Sequence, residues 1–282
     1  MRLLARLTTA LTAALLLAAP AAACPKPGTL GTTRTVEIDT TGGPGFGFEQ
    51  YKVHDFLMPK EVVLTFDDGP WPSTRAVLEA LEAQCVKATF FTIGKHALYH
   101  PDILKDVATR GHTIGTHTWS HADLAKLPPD KARAEIEKGL SAVKLSLGAA
   151  PAPFFRFPFL KDPQEQVSYL GTRNLAIFSH DLDSFDFKIR SADGVVKSVM
   201  QKLEKKGKGI ILMHDFQAST AKALPALLDE LKAGGYKVVH MKAKGSATTL
   251  AEFDEAAKAE TKGVVVGPDR PTSSIVKTIQ SQ

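Results

Sequence analysis

From Glu61 onward, short apolar runs and longer amphipathic stretches follow one another in strict turn. EVVLTF (61–66), ATFFTI (88–93), HTIGTH (112–117), FFRFP (154–158), LAIFSHD (175–181), GIILMHD (209–215) and YKVVHM (236–241) are rich in β-branched and aromatic residues and predict strands. Between them TRAVLEALEAQ, PDILKDVATRG, KARAEIEKGLSAVKLSLG, VVKSVMQKLEKKG and ALPALLDELKAGG carry apolar residues at helical spacing, and several end in glycine, a helix stop. DPQEQVSYLGTR (162–173) predicts a weaker helix. Alternating strand and helix imply parallel strands joined by right-handed crossovers. The expected fold is α/β, with about seven parallel strands in a distorted, incomplete (β/α) barrel rather than an open doubly wound sheet.

The segments outside this alternation read differently. Arg2 and Arg6 precede the apolar run Leu11 to Ala19, and small residues follow up to Ala23, which is the pattern of an export signal over residues 1–23. The apolar run is shorter than the roughly 20 residues that a membrane span needs. Residues 24–58, rich in Gly, Thr and Pro with one alternating run at Thr33 to Ile38, predict an extended N-terminal arm. Residues 59–246 hold the expected catalytic domain, and 247–282 a C-terminal tail with one helix at TTLAEFDEAAKAE.

Composition is ordinary for a globular protein, with 44% hydrophobic and 23% charged residues. Removing residues 1–23 takes away two arginines and no acid, so the formal charge falls from +5 to +3, which names no partner. No dinucleotide or P-loop glycine signature and no nucleic-acid motif is present. Export into an oxidising compartment, periplasmic or secreted, would let the two cysteines, Cys24 and Cys85, pair. The alternatives are a lipid anchor on Cys24, since AAAC weakly matches a lipoprotein cleavage box, or two free thiols.

The candidate chemistry gathers at the C-terminal ends of the expected strands, where barrel enzymes place catalytic groups. Asp67 and Asp68 end the first, His117 and His121 follow the third, Arg156 lies in the fourth, Asp183 follows the fifth, and His214 with Asp215 ends the sixth. Neighbouring strand residues point to opposite sides, so two adjacent aspartates could divide metal binding and proton transfer between them. Two histidines four apart can share one side of a helix or strand, and with one carboxylate they offer the three protein ligands of a catalytic zinc. An Asx turn or cap at DDGP and an incidental histidine pair are the bland readings of these motifs. His112 reads as a scaffold residue, and His96, His100 and His240 have no assignment.

TFDDGP, HTWSH, FFRFPF, DLDSFDF and IILMHD, in this order between about Glu61 and Met241, resemble the five motifs of the NodB-type polysaccharide deacetylases, carbohydrate esterase family 4, and most closely an exported bacterial branch. The resemblance implies one divalent metal ion, usually Zn2+ with Co2+ or Ni2+ also accepted, and removal of N-acetyl groups from an extracytoplasmic aminosugar glycan such as peptidoglycan, chitin-like chains or poly-N-acetylglucosamine. Carried over residue by residue, it implies Asp67 as general base and Asp68, His117 and His121 as metal ligands. Arg156 would hold Asp67, and His214 would be the general acid, aimed by Asp183. Leu212 would help line the pocket for the acetyl methyl group, Pro158 and Phe159 would bind substrate, with a backbone N–H near Phe159 stabilising the charge on the carbonyl oxygen, and a metal-activated water would attack the carbonyl. Two places depart from the pattern. Phe159-Leu160 stands where the third motif often has Tyr-Gly, and Asp186-Phe187 where the fourth usually has Asp-Trp, which puts the substrate in doubt more than the chemistry. An O-acetyl esterase of the xylan type or a sugar-lipid deformylase would share this scaffold, and a catalytically silent glycan-binding protein is the reading from another class. A monomer is expected.

Overall fold

A computed structural model describes residues 26–53 and 55–262. In chain order the elements are β1 (Thr32–Ile38), β2 (Gly45–Phe46), α1 (Phe48–Tyr51), β3 (Glu61–Asp67), α2 (Thr74–Ala83), β4 (Thr89–Thr92), α3 (Gly94–Tyr99), α4 (Pro101–Thr109), β5 (Thr113–Thr116), α5 (Pro129–Leu147), β6 (Phe154–Phe155), α6 (Gln164–Thr172), β7 (Ala176–Phe178), β8 (Leu182–Asp183), α7 (Ala192–Lys206), β9 (Gly209–His214), α8 (Ala218–Ala233), β10 (Lys237–Ala243) and α9 (Ala251–Glu260). The strands pair in parallel, running from β3 through β4, β5, β6 and β7 to β2 on one side, and through β9 to β8 on the other. The sheet does not close, as expected of an incomplete barrel.

β3 shows why the barrel reads as continuous apolar runs. All seven of its residues are buried, because one face packs against helices and the other fills the barrel. Val62, Leu64 and Phe66 pack outward with Leu78 and Leu81 of α2 and with Leu224 and Leu228 of α8. Val63 points inward with Phe91, Phe154, Phe178, Ile210 and Met241. Each such buried Phe or Ile contributes about 1.5–3 kcal/mol of transfer free energy. The period of two then carries Thr65 and Asp67 onto the inner face above Val63, and on β9 it carries Leu212 and His214 above Ile210.

The helices expected from periodicity form, and α5 and α7 stop at Gly148 (φ 75) and Gly207 (φ 77), which take the left-handed conformation at the C-cap. Ser191 caps α7 by accepting from Gly194 N–H. The strand β1 lies in the Gly/Thr-rich N-terminal segment and pairs in parallel with β10 from Thr32 to Ile38. The start of β10 pairs with the start of β3 at Glu61 and Val62, and its Val239 and Met241 enter the inner cluster, so β10 plugs the base of the barrel. α9 packs on α5, burying Ala257 with Leu98, Trp119 and Ala142. Cys85 is disulfide-bonded; Cys24, the cysteine with which it was expected to pair, and the export signal lie outside the described residues.

Candidate active site

Asp67 ends β3 inside the barrel, whereas Asp68 leaves the strand with φ 73. This left-handed residue, not strand alternation, brings the second carboxylate back toward the same space as the first. Its backbone is pinned from two directions: Asp68 N–H donates to Phe91 O at 3.2 Å, and His96 Nδ1–H donates to Asp68 O at 2.6 Å. Beneath the loop, the fully buried Asp215 accepts from Thr74 Oγ1 at 2.6 Å. Gly69 has to be glycine there, since a Cβ would come within 2.1 Å of the Asp215 carboxylate.

His117 follows β5 directly, and His121 is delivered by a turn in which Thr118 (φ 65) and His121 (φ 59) are both left-handed. Glu135 of α5 fastens this turn by accepting from Ser120 N–H and Oγ, each at 2.8 Å. The four-residue spacing therefore works through a turn and not through a helix or strand. Asp68 Oδ1 lies 3.5 Å from His117 Nε2 and 3.4 Å from His121 Nε2. His117 Nδ1–H donates to Arg156 O at 2.7 Å, which leaves the Nε2 lone pair facing the carboxylate.

Arg156 is fully buried and its guanidinium is nearly saturated. Nε donates to Phe178 O (3.1 Å), Nη2 to Ser179 O (2.7 Å), and Nη1 to Thr65 Oγ1 (2.8 Å) and Asp67 Oδ1 (2.7 Å). The Phe91 ring lies 4.2 Å below it. Burial pushes the Asp67 carboxyl up, and the Arg156 charge opposes that rise.

On the neighbouring strand β9, in register with Asp67, His214 Nε2 lies 4.0 Å from Asp68 Oδ2. Its Nδ1–H donates to Asp186 Oδ1 at 2.7 Å, and the other Asp186 oxygen accepts from His214 N–H (2.7 Å) and Thr220 Oγ1. Burial alone would lower the His214 imidazole, but the Asp186 hydrogen bond and charge, with Asp67 and Asp68, push it up to about 9. This corrects the expectation that Asp183 aims His214. The Asp183 carboxylate is spent on Phe185 N–H (2.8 Å), which holds a left-handed turn at Phe185 (φ 56). The signal for Asp186 was present in the fourth motif, whose resemblance places an aspartate before the aromatic residue at its end.

A family model described as polysaccharide deacetylase matches residues 57–174. A peptidoglycan-N-acetylglucosamine deacetylase of Bacillus cereus is 35% identical over 184 residues, 64% of this chain and 66% of that protein. Among solved structures, the Bdellovibrio bacteriovorus peptidoglycan deacetylase superposes with a TM-score of 0.69 at 34% identity, covering 78% of this chain and 61% of the other. A second peptidoglycan N-acetylglucosamine deacetylase gives a TM-score of 0.60 at 31% identity over 66% of this chain and 86% of that one. This chain belongs to the polysaccharide deacetylase family. It spans somewhat less than two thirds of the Bacillus and Bdellovibrio relatives' own lengths.

The residues of this family member fit a divalent cation. Asp68 Oδ1 is buried without a hydrogen-bond donor among the described residues, His117 Nε2 offers it a lone pair, and His121 Nε2 lies 3.4 Å away. The ligand atoms of Asp68, His117 and His121 lie within 4.8 Å of one another. Burial, with the neighbouring acids, pushes Asp68 up to about 7, while burial lowers His117 well below its ordinary value and His121 to about 4. Neutral imidazoles around a buried carboxylate oxygen that has no hydrogen-bond donor form a donor set completed by a cation.

Of the expected substrate-binding residues, Pro158 is buried and Leu212 is 4% exposed on β9, below His214. Phe159, left-handed at φ 58, is 59% exposed and stands 4.6 Å from the His121 ring. Phe187 and Phe216 stand 5.6 and 6.1 Å from the His214 ring, and Trp71 packs against His96 and His100. Of these, Trp71 and Phe216 had no assigned role in the sequence, because an exposed aromatic carries no periodic signal. Six of the ten described non-glycine left-handed residues, Asp68, Thr118, His121, Phe159, Leu160 and Phe185, lie in the rim loops, where backbone strain is used to aim side chains.

Proposed function

We propose that this chain hydrolyses N-acetyl groups on an extracytoplasmic aminosugar glycan. The observation that carries this reading is that Asp67, held by Arg156, and His214, held by Asp186, both border the Asp68–His117–His121 cluster, 4.0 Å from His117 Nε2 and from Asp68 Oδ2 respectively. Asp68, His117 and His121 would hold one divalent ion, Zn2+ by the family resemblance. When bound, the ion supplies Lewis-acid polarisation and lowers the pKa of water.

The chain's own groups divide the proton work. Asp67 Oδ1 is committed to Arg156, so Oδ2, 4.0 Å from His117 Nε2, takes the proton from the attacking water. His214, pushed up to about 9, is protonated at neutral pH and gives its Nε2 proton to the amide nitrogen as the C–N bond breaks, releasing acetate and a free amine. The backbone N–H of Phe159 stabilises the negative charge on the carbonyl oxygen, and Leu212 and Pro158 enclose the methyl group. Export, to the periplasm or beyond, follows from the N-terminal pattern. Among the described residues no helix is long and apolar enough to cross a membrane.

Acetate release by metal-stripped and zinc-reconstituted protein tests the reading, on N-acetylglucosamine oligomers, peptidoglycan, poly-N-acetylglucosamine and acetylated xylan. Zinc-dependent release from an aminosugar polymer is expected. Release from xylan alone would make the protein an O-acetyl esterase, and zinc binding without release from any polymer would overturn the hydrolytic reading.

A further inference from the structure

One group of rim side chains takes no part in the proposed hydrolysis. After β8 the left-handed turn at Phe185 throws Phe185 and Phe187 outward, where they are 39% and 47% exposed. Their rings meet at 6.0 Å, and Phe187 stands against the His214 ring on its far side. Lys202 supports this wall from the protein side, with Nζ 4.0 Å from the Phe185 ring centre while donating to Asp183 O and Ser198 Oγ. Lys188 Nζ also sits 5.3 Å from both ring centres, and it makes no ion pair among the described residues. The opposite wall differs: Lys161, 5.7 Å from the Phe159 ring, has its charge matched by Asp123 Oδ2 at 2.6 Å.

An apolar ring face beside an unmatched ammonium fits a sugar that presents C–H groups on one face and a carboxylate at its edge. A neutral strand can use only the ring face. We propose that Lys188 is a specificity-determining residue that reads a carboxylate on a sugar next to the one deacetylated, so that carboxylate-bearing aminosugar glycans are favoured over neutral ones. This rests on the deacetylase reading above and deepens it.

The test compares zinc-loaded wild type, Lys188→Gln and Lys188→Arg on four soluble substrates. These are a neutral N-acetylglucosamine oligomer, a peptide-free strand alternating N-acetylglucosamine with its lactyl-ether acid derivative, the same strand with carboxylates converted to methyl amides, and a strand alternating N-acetylglucosamine with a uronic acid. Lys188→Gln should raise KM about fivefold on a carboxylate-bearing strand with kcat unchanged, an effect the size of one partly exposed ion pair. Lys188→Arg should restore it, and high salt should erase the difference. The neutral and amidated strands should respond by less than about twofold. Whether the lactyl or the uronate strand responds identifies the source of the carboxylate. An equal response on acidic and amidated strands, or none on any, overturns the role of Lys188 and leaves the deacetylase reading standing. Should wild type release no acetate, equilibrium binding decides the point separately, since equal affinity of wild type and Lys188→Gln for the acidic strand overturns the inference.

Discussion

Both ends of the barrel bury histidines, and they use them in opposite ways. At the base, His112 Nδ1 accepts from Ala88 N–H at 3.1 Å. His240 Nε2 meets Thr113 Oγ1 at 2.9 Å, and because that hydroxyl gives its own proton to Met241 O at 2.6 Å, the imidazole is the donor. At the rim, His117 and the half-buried His121 are desolvated too, yet each brings Nε2 within 3.5 Å of Asp68 Oδ1, a buried oxygen with no hydrogen-bond donor among the described residues, and His117 turns a lone pair toward it. Burial holds all four below their ordinary values. The difference lies in what the second nitrogen faces. A buried histidine marks a binding site where acceptor is aimed at acceptor, and a packing position where donor meets acceptor.

The largest effects should come from separating the two rim aspartates. Asp67→Asn keeps an oxygen for Arg156 but cannot take a proton, so turnover should fall about 10³-fold while metal content stays near that of wild type. Asp68→Asn should instead lose the metal. If elemental analysis shows Asp67→Asn stripped of metal and Asp68→Asn loaded, the two roles are exchanged and the rim has been divided wrongly.

A smaller effect distinguishes the two acids around His214. Asp186→Asn removes the charge that opposes desolvation, so the His214 value should fall from about 9 and the alkaline limb of the pH–rate profile should move down with it, with kcat reduced about 10²-fold. An acid catalyst works only while protonated, so activity is lost as pH rises through that value. Asp183→Asn should disturb the Phe185 turn and KM and leave the limb in place. A shift of the limb in Asp183→Asn, with none in Asp186→Asn, would restore the original assignment.

The alternation of strand and helix was legible because both faces of strands such as β3 are buried, which makes them continuous apolar runs against the amphipathic helices. β2 and β8, at two residues each, are too short for any periodicity to register, whereas β1 shows in the alternation from Thr33 to Ile38, and only its pairing with β10 goes unannounced. The site was legible as residue types at strand ends. Its geometry was not: Asp68, His121 and Phe185 reach their places through left-handed backbone that no spacing rule encodes. The choice between Asp183 and Asp186 turned on the same feature, since the turn at Phe185 consumes one carboxylate and swings the other under His214.

The base offers the smallest and most selective test of the contrast. Burial pushes His112 down to about 3, against about 6.5 in an unfolded chain. Between those values the unfolded state binds a proton that the folded state refuses, so the stability associated with the neutral ring is full above about pH 6.5 and is lost as pH falls toward 3. At pH 5 the loss is about 2 kcal/mol for this one group. His112→Asn places an amide oxygen where Nδ1 accepts from Ala88 N–H, keeping the hydrogen bond and removing the titration. Urea unfolding of wild type and variant at pH 7.5 and pH 5 should therefore show the variant losing about 2 kcal/mol less on acidification, with metal content unchanged at the higher pH. Equal acid sensitivity in the two proteins would mean that His112 is already charged or solvated in the folded state, and the distinction between a satisfied base and an unsatisfied rim would fail at the base.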